Sequence, residues 1–209
     1  PYSKGSVKIK NVEIQNLSIR KIRELKTSHV PEDRMTFGIA GDASIEENLI
    51  SDRYYKKEYN RNGLQKAKKI SRETDSDISE YLVKCDGREQ PIRMLSGGNI
   101  QKVVVAREFS SGPELILVDQ PTRGIDVGAT EFVRKQIVKL RDGGSAVVLI
   151  SADLNEVIEL SDSLIVLYEG EIVAYFPDTK NLSEQEMGEY MLGVKRMPPD
   201  QIGDVIHAK

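Results

Sequence analysis

Cysteine and histidine are nearly missing from this chain: its 209 residues include one cysteine, Cys85, and two histidines, His29 and His207. A lone thiol excludes an internal disulfide and fits a reducing cytoplasm, and Cys85 reads as a half-buried packing residue. The histidines stand far apart, with no cysteine or carboxylate at ligand spacing, so no zinc-type site is written here, and His29 reads as a strand residue. Long apolar runs are absent too. No stretch approaches the roughly 20 residues that cross a bilayer, and the opening PYSKGSVKIK lacks the apolar core of a signal peptide. Nor does one sign of charge dominate: 30 basic residues face 33 acidic ones, which argues against nucleic acid as the main ligand. Finally, no glycine is followed by lysine, so the phosphate-cradling pattern G-x-x-x-x-G-K-[ST] does not occur in these residues.

What is present falls into three regions and a tail. Residues 1–40 read as β-rich, with strands around Val7, Ile9 and Val12 to Ile14 and one short helix whose face is Ile19, Ile22 and Leu25. Residues 41–94 change character: Ile45, Leu49 and Ile50, then Leu64, Ala67 and Ile70, then Ile78, Tyr81 and Leu82 predict short amphipathic helices. Asp42 and Glu46 read as dipole and capping residues there. The basic run Lys56, Lys57, Arg61, Lys66, Lys68, Lys69 and Arg72 reads as a solvated face. Residues 95–193 alternate helix and strand, with strands at 115–118, 146–150 and 164–168, which argues for an α/β layer with mainly parallel strands. Residues 194–209, with Pro198 and Pro199, read as a flexible tail.

The stretch LSGGNIQKVVVAREFSSGPELILVDQPTRGID, Leu95 to Asp126, carries the chemistry. Ser96, Gly97 and Gly98 precede apolar residues at helical spacing (Ile100, Val103, Val104), so a helix starts beside two glycines. Its first N–H groups and partial positive charge suit a phosphate, and the glycines let a bulky anion approach the backbone. Leu115 to Val118 reads as a buried strand ending in Asp119, a carboxylate placed to hold Mg²⁺ directly or through water.

At this point the chain resembles the ATP-binding subunits of ABC transporters. LSGGN resembles their signature motif, LILVD their Walker B strand and PTRGID their D-loop; SHVPEDR (Ser28 to Arg34) stands in the Q-loop region and ISADL (Ile150 to Leu154) at the switch region. The similarity runs from about Val7 to about Val173, and PEDR, LSGGN and QPTRGIDVGA together resemble more closely still the second ATPase half of the fused importers for simple sugars and nucleosides. The resemblance implies an α/β P-loop ABC ATPase core with an inserted helical subdomain at 41–94, ATP and Mg²⁺ as cofactors, and a nucleotide site using Ser96, Gly97, Gly98, Asn99, Glu32 and Asp126, with Asp119 on the metal. The implied partners are a second ABC ATPase domain, transmembrane permease subunits and, indirectly, a solute-binding protein; the implied location is the cytoplasmic face of the cell membrane. Because the Walker A pattern does not occur, the chain resembles a domain that begins just downstream of its own P-loop; a natural protein without that loop is the alternative.

Two positions depart from the family pattern. Gln120 follows the Walker B aspartate where a Glu usually orients or deprotonates the attacking water; an amide can position water but cannot take its proton. Ala152 replaces the switch histidine, leaving Asp153 as a poor substitute for a group facing a phosphate. The nearly intact signature beside these losses implies a domain that serves its partner's ATP while its own site is degenerate. A noncatalytic partner-binding half and a soluble ABC ATPase of repair or translation are the other two classes. Arg123 reads equally as a contact to the facing domain or as a surface residue, and Asp126 as both D-loop residue and helix N-cap.

Overall fold

The computed structural model describes residues 4–180 and 182–206; His207 and the end of the expected tail lie outside the described residues. The chain forms two compact units that part between Val148 and Leu149. The first opens with a hairpin of β1 (Lys8–Ile9) and β2 (Val12–Glu13), turned by Lys10 and Asn11 at φ 51° and 64°, the left-handed pair that matches strand twist. In α1 (Ile19–Glu24) Ser18 caps the first turn by accepting from the Lys21 N–H. The face expected to be apolar is shallow: Ile22 and Leu25 are half-buried and Ile19 is exposed.

After β3 (Thr27–Val30), which contains His29 as expected, comes a single π turn, Arg34–Gly38, whose first N–H groups are taken by the Asp33 carboxylate. α2 (Ile45–Ile50) starts in a capping box: Ser44 Oγ accepts from the Glu47 N–H and the Glu47 carboxylate from the Ser44 N–H. The cap is therefore made by Ser44 and Glu47, while Asp42 pairs with Arg93 and Glu46 with Arg88.

The two helices read from Leu64 to Leu82 are one. Asn62 and Gly63, at φ 51° and 86°, turn a short hairpin of β4 (Asn60–Arg61) and β5 (Leu64–Gln65), so Leu64 is an exposed strand residue. α3 (Ala67–Glu80) then runs unbroken, since no Gly or Pro interrupts it, and ends at Tyr81 and a left-handed Leu82. A 3₁₀ turn, Ile92–Met94, leads to α4 (Gly97–Ser110), β6 (Leu115–Asp119), α5 (Val127–Asp142) and β7 (Ala146–Ile150). β3, β6 and β7 form a sheet in that order, with β3 parallel to β6 and Thr27 to Val30 opposite Leu115 to Val118.

The second unit contains α6 (Leu154–Leu160), β8 (Leu164–Tyr168), β9 (Glu171–Phe176), α7 (Glu184–Met191) and α8 (Pro199–Ile206). β8 and β9 are antiparallel, and Val166, Val173, Ala174 and Tyr190 form their core. α8 stands where a flexible tail was expected. Pro199 at its first position suits a helix start, and buried Ile202 anchors it.

α4 holds the first unit together. Instead of one apolar stripe it buries nearly its whole length, including Ile100, Val103, Val104, Val105, Ala106 and Phe109, and packs against α2, α3, α5 and β3. It also buries a charge. Glu108 is fully enclosed and accepts from both terminal nitrogens of Arg23 (2.9 and 3.0 Å), from Arg107 Nε (2.8 Å) and from the His29 N–H (3.3 Å). Burial pushes its carboxyl up, but the two arginines outweigh this and hold it below the usual range. Asp52 extends the network: it accepts from Arg53 Nε (2.7 Å), while Arg53 donates to the Arg107 carbonyl and to Ser110 Oγ (3.2 Å).

Removing the fully buried carboxylate leaves buried Arg107 without its ion-pair partner and half-buried Arg23 with Asp52 alone, 3.7 Å away. Glu108→Gln should cost about 3–5 kcal/mol, measured by urea unfolding of the 209-residue chain; a loss under about 1 kcal/mol would contradict a structural role for the carboxylate. Asp77 on α3 behaves oppositely. Burial raises its carboxyl to about 6, against the pull of the Arg53 charge and a hydrogen bond from Ser110. A carboxyl raised on folding contributes stability below its unfolded pKa of about 4 and loses it as pH rises through about 6. Asp77→Asn should therefore raise Tm relative to wild type near pH 7.5 and give no advantage near pH 4; thermal scans across that range test the sign.

Candidate functional site

The helix start expected at LSGGN is there. Ser96 is the N-cap of α4, its Oγ accepting from the Asn99 N–H (3.4 Å) and side-chain Nδ2 (2.9 Å). The first intrahelical bond is Ile100 N–H to the Ser96 carbonyl (2.9 Å), so the N–H groups of Gly97 and Gly98 precede the ladder. No acidic residue stands in the first turn, and Ser96 is exposed. Exposed Ser96 and half-buried Gly97 thus stand at the start of a helix of 14 residues, an arrangement that suits an anion, while Gly98 is buried behind them. Asn99 also accepts from the Lys84 N–H (2.9 Å), which ties the turn to the segment after α3.

The glycines have a further reason. A Cβ on Gly98 would lie 2.6 Å from Asp126 Oδ2 and 3.1 Å from Ala129 Cβ, because the starts of α4 and α5 meet there. A Cβ on Gly97 would lie 3.1 Å from Arg34 Nη2. Asp126 is the N-cap of α5, its Oδ1 accepting from the Ala129 N–H (2.9 Å), and its other oxygen leans on Gly98. One carboxylate thus touches two helix starts.

Between Asp119 and Asp126 the chain forms a loop held from both sides. Gln101, buried in α4, donates Nε2 to the Pro121 carbonyl (2.8 Å). Arg34 donates to the carbonyls of Arg123 (2.8 Å) and Gly124 (3.1 Å), and the Arg123 guanidinium pairs with the Glu32 carboxylate. Gln120 and Gly124 adopt positive φ, 47° and 68°. For glutamine this is an uncommon conformation that surrounding contacts must enforce.

Asp119 ends β6, half-buried, directly before this strained residue. Among the described residues no group of three or more His, Cys, Asp or Glu side chains could hold a metal. A single carboxylate still fits Mg²⁺, which commonly takes one or two carboxylates and completes its shell with water and phosphate oxygens. Ala152 belongs to the second unit, in the turn before α6, where Asp153 caps the helix by accepting from the Glu156 N–H (3.2 Å). The structure thus brings together Ser96, Gly97, Gly98, Asn99 and Asp126, sets Asp119 and Gln120 at the strand end, and turns Glu32 toward Arg123.

Sequence reasoning passed over Gln101 and treated Arg34 only as part of a motif. Gln101 carried a weak signal: a polar side chain on the same helix face as Val104 and Val105, one turn on. Arg34 carried none, because its partners lie 89 and 90 residues away.

A family model described as ABC transporter matches residues 1–123. The guanosine import ATP-binding protein NupO of Bacillus subtilis (strain 168) is 41% identical over 189 residues, covering 90% of this chain and 37% of that protein. The nucleoside import ATP-binding protein NupA of Lactococcus lactis subsp. cremoris (strain MG1363) is 38% identical over 190 residues, with the same coverage of each. The chain therefore spans a little over a third of the length of these curated relatives. Among solved structures, the dimeric structure of MJ0796, a bacterial ABC transporter cassette, superposes with a TM-score of 0.70 at 22% identity, covering 86% of this chain and 75% of that one, which establishes the α/β cassette fold. With a family match over more than half its length and these identities across nine-tenths of it, the chain belongs to the ATP-binding proteins of the ABC transporter family.

Proposed function

We propose that this chain is part of the ATP-binding, energy-coupling subunit of an importer for nucleosides or simple sugars. The observation that carries the reading is the start of α4, with exposed Ser96 as cap and half-buried Gly97 beside it, in a chain 41% identical to a guanosine import ATP-binding protein. In this reading the partners are a second ABC ATPase domain and transmembrane permease subunits, with a solute-binding protein acting through the permease, on the cytoplasmic face of the membrane. No helix among the described residues is long and apolar enough to cross a membrane, which agrees with attachment through partners.

ATP with Mg²⁺, when bound between facing domains, supplies a polyphosphate whose charge the metal partly neutralises. The residues of this chain act around it. Ser96 and the N–H groups of Gly97 and Gly98 would hold phosphate oxygens of the nucleotide on the facing domain, with Asn99 fixing the serine. Asp126 keeps the D-loop against the signature, while Asp119 would help hold the metal of this domain's own site. Gln120 orients water by hydrogen bonding but cannot accept its proton. Ala152 offers no imidazole to a phosphate. These two positions favour a site slow in hydrolysis beside a signature that serves the partner site.

The asymmetry has a direct test. In the full-length transporter, Ser96→Arg should lower ATP turnover by about 100-fold or more, the scale of losing a preorganised donor, while Gln120→Ala should change it less than about three-fold. Comparable losses in steady-state ATPase assays of the two variants would overturn the assignment of a degenerate site.

A further inference from the structure

We infer that Arg34 is a positioning residue that fixes the Pro121–Asp126 loop against the signature turn, so that both meet the facing domain as one rigid edge. The inference rests on the proposed reading of the signature as the surface that completes a partner's nucleotide site.

Three observations carry it. First, the guanidinium spends both terminal nitrogens on consecutive carbonyls, those of Arg123 and Gly124, a planar fork that lysine cannot reproduce. Second, Nη2 lies so close to Gly97 that a Cβ there would stand 3.1 Å away, so one group touches the D-loop and the signature at once. Third, Arg34 is itself held from behind. It opens the π turn Arg34–Gly38, which Asp33 caps, and Gly38 seats that turn against α4: a Cβ on Gly38 would meet Arg34 Cβ at 3.2 Å and Val104 at 3.4 Å. The backbone at Gly124 is left-handed and at Gln120 strained, so the loop depends on outside contacts for its shape.

Gln101 and the Glu32–Arg123 pair hold the same loop, but neither replaces Arg34. Gln101 reaches only Pro121 at the loop's beginning, and the ion pair is exposed on both sides, where such pairs contribute little and weaken in salt. Arg34 supplies the hold at the tip, beside Gly97.

The test has one arm that needs no nucleotide and one that does. In the 209-residue chain, amide exchange of the peptide spanning 120–126 should speed up by ten-fold or more in Arg34→Ala, with Arg34→Lys intermediate and the β3 and β6 amides unchanged. In the full-length transporter the same variant should lower kcat by roughly 10–100-fold, the scale of a misplaced reacting surface, with KM for ATP within two-fold. Unchanged exchange in the loop overturns the proposal, as does faster exchange throughout the sheet, which would mean lost stability alone. A loosened loop with normal kcat overturns it as well. Ser96→Arg measured alongside keeps the two readings apart: normal turnover in that variant would sink the assignment of the signature, whereas the exchange result decides for or against the Arg34 clamp.

Discussion

A buried carboxylate organises the first unit. Glu108 sits in the last turn of a helix that is enclosed on nearly every side, and desolvating it alone would cost several kcal/mol. It is tolerated because Arg23 comes from α1, Arg107 from its own helix and an N–H from β3, so every lone pair has a partner in fixed geometry. The consequence is orientational. Apolar residues such as Val104 and Val105 would accept some sliding of α4 along the sheet, but a forked ion pair accepts very little. Fixing the C-terminal end of this 14-residue helix against β3 fixes the position of its other end, where Ser96 and Gly97 lie.

That other end is built to similarly close tolerances. Gly98 lets α4 and α5 begin almost in contact, Asp126 caps one helix while leaning on the other, and Gln101 reaches from the buried side of α4 to the loop between β6 and α5. The loop then has its carbonyls at Pro121, Arg123 and Gly124 turned to protein donors. What it presents outward is side chains and the helix starts themselves. A surface made this way loses little conformational freedom on meeting a partner, which is the physical advantage of preorganisation.

Much of this was legible from local pattern. The start of α4 beside Gly97, the strand ending at Asp119, the helix from Val127, and the strands at 146–150 and 164–168 all stand where periodicity and cap residues put them, since each depends on neighbours within a few positions. Pattern fails where a turn intervenes: Asn62 and Gly63 make a hairpin, so Leu64 is a strand residue although its spacing to Ala67 and Ile70 fits a helix face. The chain after residue 193 lacked apolar density, yet Ile202 and Pro199 suffice for a helix once β9 offers a surface.

Local pattern accounts for the alternation of elements, the family resemblance, and the positions of the Ser96–Gly98 helix start and of Asp119 at the end of β6. Only the folded chain shows that Glu32 faces Arg123, that Gly98 has no room for a side chain, and that Arg34 bonds the carbonyls of Arg123 and Gly124. The reason is range. Helix and strand periodicity is written within about ten residues, whereas Arg23 meets Glu108 across 85 positions and Arg34 meets Gly124 across 90, and nothing in the local spacing of either arginine distinguishes it from the chain's other surface cations.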